Sequence, residues 1–163
     1  MKEKLQAYLN LYLQPHKEKK SFFDKSALGN YECASYCEES TIENYIQENK
    51  EEETFQTQLF KYIDSKNLKD SDVYNKVNID RRLFSKIRSN KDYHPSKETI
   101  ILLGIALELT EEELVSLLEK AAYSLPMNTT YDLIIRFCFK ERIYDLDQIN
   151  DFLYDYHCKT LCE

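Results

Sequence analysis

Glycine is nearly missing from this sequence: Gly29 and Gly104 are the only two among 163 residues, beside three prolines and no tryptophan. Gly and Pro punctuate sheets and tight turns, so their scarcity, set against plentiful Leu, Glu, Lys and Gln, favours helix. Two isolated glycines cannot write a phosphate-cradling loop or a dinucleotide fingerprint. No run of about 18 apolar residues exists, so nothing is expected to span a membrane. Residues 1–13 alternate charged and apolar side chains without the core of a signal peptide. A cytoplasmic protein is the expectation, with its five cysteines present as thiols rather than as a disulfide framework.

The cysteines hold little further chemistry. Cys33 and Cys37, and again Cys158 and Cys162, stand four apart, with His157 beside the second pair. Such pairs could share a zinc ion if they met. Structural zinc sites more often use closer knuckles, so buried or idle thiols are expected and no metal or cofactor. His16, His94 and His157 have no local partner for acid–base work. No nucleophile–base pair or paired-carboxylate motif stands out, so an enzyme is not expected.

Net charge is −7, yet the charge is unevenly spread. Residues 1–53 hold seven basic against eleven acidic side chains, a balance of −4. Residues 54–95 hold nine against five, +4, and residues 96–163 hold six against thirteen, −7. Within the basic segment, Arg81, Arg82, Lys86, Arg88 and Lys91 fall in eleven residues without one acid. A cluster of one sign is an electrostatic footprint for phosphate or a plain solvated helix face.

Along the chain, Leu5, Leu9, Tyr12 and Leu13 recur at helical spacing before Pro15, and Phe22, Phe23, Ala27 and Leu28 precede Gly29-Asn30. Ser40 and Glu43 have capping-box spacing and predict a helix with Ile42, Tyr45 and Ile46. Phe55, Leu59, Tyr62 and Ile63 predict one face of a helix ending near Lys66-Asn67. Asp70 or Ser71 should cap a short helix through Lys76. Asn78 tolerates the left-handed backbone of a tight turn, and Asp80 should cap the next helix. That helix turns Leu83, Phe84 and Ile87 inward and Arg81, Arg82, Ser85, Lys86 and Arg88 outward. After the Asn90–Pro95 loop, Ser96 caps a helix so apolar from Ile100 to Leu109 that it should be the buried centre. Gly104 and Ala106 there would admit close neighbours. Thr110 and Glu113 form another capping box, opening a helix predicted to run to Pro126. Helices near Thr130–Glu141 and Leu146–Tyr156 complete the pattern, with Asp145 as the last cap. The tyrosines, thirteen in all, suit half-buried helix faces; Tyr144, Tyr154 and Tyr156 would mark a partner surface if exposed together.

The run from Asp72 through Asn78 and Asp80 to Ile87 resembles the helix-turn-helix of the lambda repressor/Cro class, also called XRE-like. The likeness extends through Pro95-Ser96 and into Leu107–Thr110, some 65 residues. The string Phe84–Asn90 is also similar to a poorly characterised bacterial family sometimes appended to macro domains. The first resemblance implies that a short helix crosses the groove and the next inserts its first turn. It implies double-stranded DNA as partner, homodimers reading half-sites, and a transcriptional regulator. On this reading Arg81, Arg82, Ser85, Lys86, Arg88 and Lys91 are the DNA-binding residues, arginine pairing with guanine and lysine neutralising phosphate. The chain departs from the family at Asp70-Ser71-Asp72, where a glutamine usually touches phosphate, and at Tyr74, where a small residue is usual. Those acids leave open an adaptor that binds another protein through the same fold. The expected architecture is all-α: a repressor-like five-helix domain over residues 54–125, an N-terminal helical extension over 1–53 and a C-terminal helix pair over 126–163.

Overall fold

The computed structural model describes residues 39–49 and 53–161, in eight helices without a strand among those residues. The expected helix before Pro15 and the apolar stretch Phe22–Leu28 lie outside the described residues. The chain divides into two compact units, with residues 39–49 in one and residues 53–161 in the other. In the first, α1 (Glu39–Asn49) carries Ile42, Tyr45 and Ile46 as exposed side chains. The helix begins at Glu39, so Ser40 lies in its first turn rather than ahead of it.

The second unit runs α2 (Phe55–Ser65), α3 (Asp70–Lys76), α4 (Arg81–Ser89), α5 (Lys97–Ala106), α6 (Glu111–Lys120), α7 (Thr130–Lys140) and α8 (Leu146–Asp155). Side-chain caps open nearly all of them. Thr54, Asp80, Ser96, Thr110, Thr129 and Asp145 each accept a hydrogen bond from a first-turn amide, which satisfies donors the helix itself cannot. Thr110 and Glu113 complete the expected capping box. The exception corrects the sequence expectation at α3. Lys69 stands at the cap position and makes no capping bond, while Asp70 and Asp72 sit inside the first turn. There their charges meet the positive end of the helix dipole instead.

Helix ends follow one pattern. Asn67, Asn78, Glu108, Ala122, Arg142 and His157 all have positive φ, between 49° and 58°. Each lies just past a helix, and the next amide bonds back to a carbonyl in the last turn: Leu68 to Ile63, Ile79 to Tyr74, Leu109 to Gly104, Tyr123 to Leu118, Ile143 to Cys138, Cys158 to Leu153. This is the Schellman closure, with an apolar or half-buried residue in its second outer position. It shows why α6 stops at Lys120 rather than reaching Pro126: Ala122, at φ 58°, has already turned the chain.

The core is a single cluster centred on α5, whose residues Ile100 to Ala106 are all buried. Helix α5 packs against α3 on one side and α6 on another; α6 also meets α2 and α7, and α7 meets α8. A Cβ on Gly104 would stand 2.9 Å from Leu114 Cδ1 and 3.2 Å from the Phe139 ring. Glycine there is what lets α6 and α7 close on α5, as the sequence suggests. Polar ties reinforce the contact. Lys97 Nζ lies 2.6 Å from Asp132 Oδ1, and Thr129 Oγ1 donates to Asp132 Oδ2 at 2.6 Å. Arg136 binds Glu111 at 2.5 Å and the Leu125 carbonyl at 2.8 Å, and the Tyr144 hydroxyl donates to the Leu109 carbonyl at 2.7 Å. The C-terminal helices thus share the core of those before them.

Candidate functional site

Helix α4 is held from one side. Asp80 Oδ1 accepts from the Arg82 and Leu83 amides at 2.6 and 3.4 Å. Phe84 and Ile87 are buried and Leu83 is half-buried. The Phe84 ring meets Tyr74 at 5.7 Å and, edge to face, Phe60 at 6.4 Å. Tyr74, the large residue in a place where a small one was expected, therefore fills the space between α3 and α4. Everything else on the helix faces outward: Arg81, Arg82, Ser85, Lys86, Arg88 and Ser89 are exposed.

The six residues singled out by sequence do not form one equivalent set. Arg88 is engaged inside the protein, its Nε 3.1 Å from Asp70 Oδ2 and its guanidinium 4.5 Å above the Phe60 ring. An exposed pair of this kind is worth little to stability, but it does compensate the Arg88 charge. Arg81, Arg82, Lys86 and Lys91 are exposed, and among the described residues no carboxylate lies within ion-pair distance of them. Ser85 stands between them, its backbone carbonyl accepting from the Ser89 hydroxyl at 2.8 Å. Lys91 sits on the turn after α4, where the Asp92 amide donates to Asn90 Oδ1 at 3.0 Å. His94 is exposed between half-buried Tyr93 and buried Pro95.

Position along the helix decides how far the acids reach. Asp70 lies beside Arg88, seven residues from Arg81, which is about 10 Å along a helix axis. The Debye length at physiological ionic strength is about 8 Å, so the half-buried Asp70 carboxylate, paired with Arg88, acts only weakly on the first turn. At the other end Arg81 and Arg82 stand beside the capping carboxylate of Asp80, which is taken up by the Arg82 and Leu83 amides, and Lys86 follows in the second half of the helix.

Two features of the site have no signal in local sequence. The first is Phe60 of α2, which supports both Phe84 and Arg88. The second is Gln56, whose amide nitrogen donates to the Ile87 carbonyl at 2.6 Å and also to the Asn90 carbonyl. Helix α4 lacks the left-handed closure of its neighbours, since neither its cap Asn90 nor the next residue, Lys91, has a positive φ. Gln56 satisfies from outside the Ile87 carbonyl, which such a closure would have satisfied, and adds a bond to that of Asn90.

Elsewhere the chemistry is quieter. Cys138 is fully buried and burial pushes its thiol up to about 12, which leaves it unreactive in the native state. Cys158 is half-buried and burial raises it as well. Cys33, Cys37, Cys162 and His16 lie outside the described residues, and among those described no group of three side chains is placed to hold a metal ion. Tyr144 and Tyr156 are half-buried while Tyr154 is exposed, so the three do not surface together. No helix among the described residues is long and apolar enough to cross a membrane. Comparisons with family models, with curated proteins and with solved structures returned no match.

Proposed function

We propose that α4 is the recognition helix of a repressor-like helix-turn-helix and that the protein binds double-stranded DNA sequence-specifically, as a homodimeric transcriptional regulator rather than an enzyme. The observation that carries this reading is the exposed, uncompensated set of Arg81, Arg82 and Lys86 on one side of a helix held rigidly from the other. A first turn bearing two arginines suits base edges in the major groove, where a bidentate pair with guanine is worth about 1–3 kcal/mol of discrimination. Ser85 and Lys86 follow one turn later, and Lys91 suits backbone phosphate. Arg88 belongs to the support of the helix rather than to its contact surface.

The test is selection of bound fragments from a random duplex pool, followed by titration of the selected site against salt. Binding should weaken with a slope of about 0.9 per phosphate neutralised. Arg81→Ala combined with Arg82→Ala should abolish discrimination between selected and random duplex. A flat slope, or no loss in the double variant, overturns the reading.

A second reading is favoured by one specific observation, the Asp70–Arg88 pair with Asp72 beside it, which brings negative charge to the edge of the basic face. On that reading the protein is an adaptor or regulator whose mixed-charge face docks another protein. Duplex binding absent at low salt, together with a stoichiometric protein partner lost in the same double variant, would establish it.

A further inference from the structure

Among the described residues, Gln56 is the one outside α4 and its turn that grips the end of α4 through its backbone. It stands in the first turn of α2, half-buried, 31 residues before one of its acceptors and 34 before the other. A single amide group bridges the carbonyl of Ile87, inside the last turn, and that of Asn90, the first residue past it. Around it, the Asn90 amide closes on the Lys86 carbonyl at 3.0 Å and the Tyr93 amide on the Asn90 carbonyl at 3.1 Å. Lys91 and His94 hang from this knot.

We propose that Gln56 is a positioning residue for the basic face: it fixes where α4 stops and so sets the direction from which Lys91 approaches a phosphate while Arg81 and Arg82 reach the bases. The inference rests on the DNA reading for its functional half. Three physical points support it. The other helix ends of this unit from α2 to α8 are closed by their own left-handed residue, and α4 alone borrows its closure. The donor is neutral, so it tethers carbonyls without competing with the arginines for phosphate. Its two acceptors flank the point where helix gives way to loop, so one side chain controls both.

The experiment uses the full chain with Gln56→Met, which keeps length and removes the donor, and Gln56→Glu, which puts a carboxylate against two carbonyl oxygens. Residue-resolved hydrogen exchange should show faster exchange at Asn90 and Tyr93 in both, with the amides of α5 and α6 unchanged. Affinity for the selected duplex should fall about tenfold, as expected when the binding-competent arrangement becomes a minor fraction. The salt slope should fall by at most about one, the Lys91 contact, because no charge is removed. Gln56→Glu should fall further than Gln56→Met. Unchanged exchange at Asn90 and Tyr93 overturns the clamp itself. Faster exchange with undiminished affinity overturns its positioning role. Wild-type protein that binds no duplex at low salt overturns the DNA reading instead, and exchange at the two amides still decides the clamp. Should Gln56→Met fail to fold, Gln56→Asn, whose donor stops short of both carbonyls, gives the same two readouts.

Discussion

Arg88 shows how little a charge says until its neighbours are known. In sequence it is one of five equivalent bases; in the fold it lies on Phe60 and against Asp70. Replacing Asp70 with Asn frees that charge while leaving the helix intact. Duplex affinity should then rise several-fold and the salt slope should steepen by about one unit, with thermal stability almost unchanged because exposed pairs contribute about 0–1 kcal/mol. A fall in affinity would mean that the pair is needed to aim α4. Asp132 is the opposite case, a carboxylate that is 5 % exposed and is held by Lys97 and Thr129. Asp132→Ala leaves Lys97 facing a buried void, and urea unfolding should show a loss of about 3 kcal/mol. Lys97→Met with Asp132→Leu should recover most of it, because an apolar pair of similar volume needs no desolvation.

At the scale of the element, the chain makes most of its turns without glycine. A non-glycine residue in the left-handed region is strained by about 1–2 kcal/mol, and asparagine at 67 and 78 bears this more easily than alanine or arginine. Ala122→Gly should therefore raise the stability by about 0.5–1 kcal/mol once the greater freedom of glycine in the unfolded chain is offset. Asn78→Gly should change it far less. Calorimetry on the two variants separates them, and equal shifts would show that strain at Ala122 is not what matters. These elements also mark what sequence can disclose. The caps at Asp80, Ser96, Thr110 and Asp145 and the turn at Asn78 act within three or four residues, so they are legible. Ala122 was not, because nothing about an alanine announces a left-handed bend; the apolar residue that follows the bend, Tyr123, was the available signal. Lys69 holds the cap position expected of Asp70 or Ser71, and the two acids of the first turn meet the helix dipole in its place. The outward set on α4 was readable from periodicity. Its division into free and engaged members was not, because Asp70, Phe60 and Gln56 reach it from 18 to 34 residues away.

At the scale of the molecule, the helices after Pro126 complete the core that α5 begins. They bury Ile134, Ile135, Phe137, Phe139, Ile149, Phe152 and Leu153 almost completely. Each such side chain is worth roughly 1.5–3 kcal/mol, and together they rival the ~5–15 kcal/mol that holds a domain folded. A chain ending at residue 125 should lose its cooperative melt and bind an apolar dye, as seen by calorimetry and fluorescence; a sharp two-state melt in that fragment would contradict the shared core. The basic helix obeys a different rule. Of its nine residues only Phe84 and Ile87 are buried. Arg88 aside, its outward positions can change without disturbing what keeps the protein folded. On the proposed reading, stability and recognition are written in different atoms of one helix, and descendants of this chain are free to acquire new targets by surface substitution alone, with no need to rebuild the molecule that carries them.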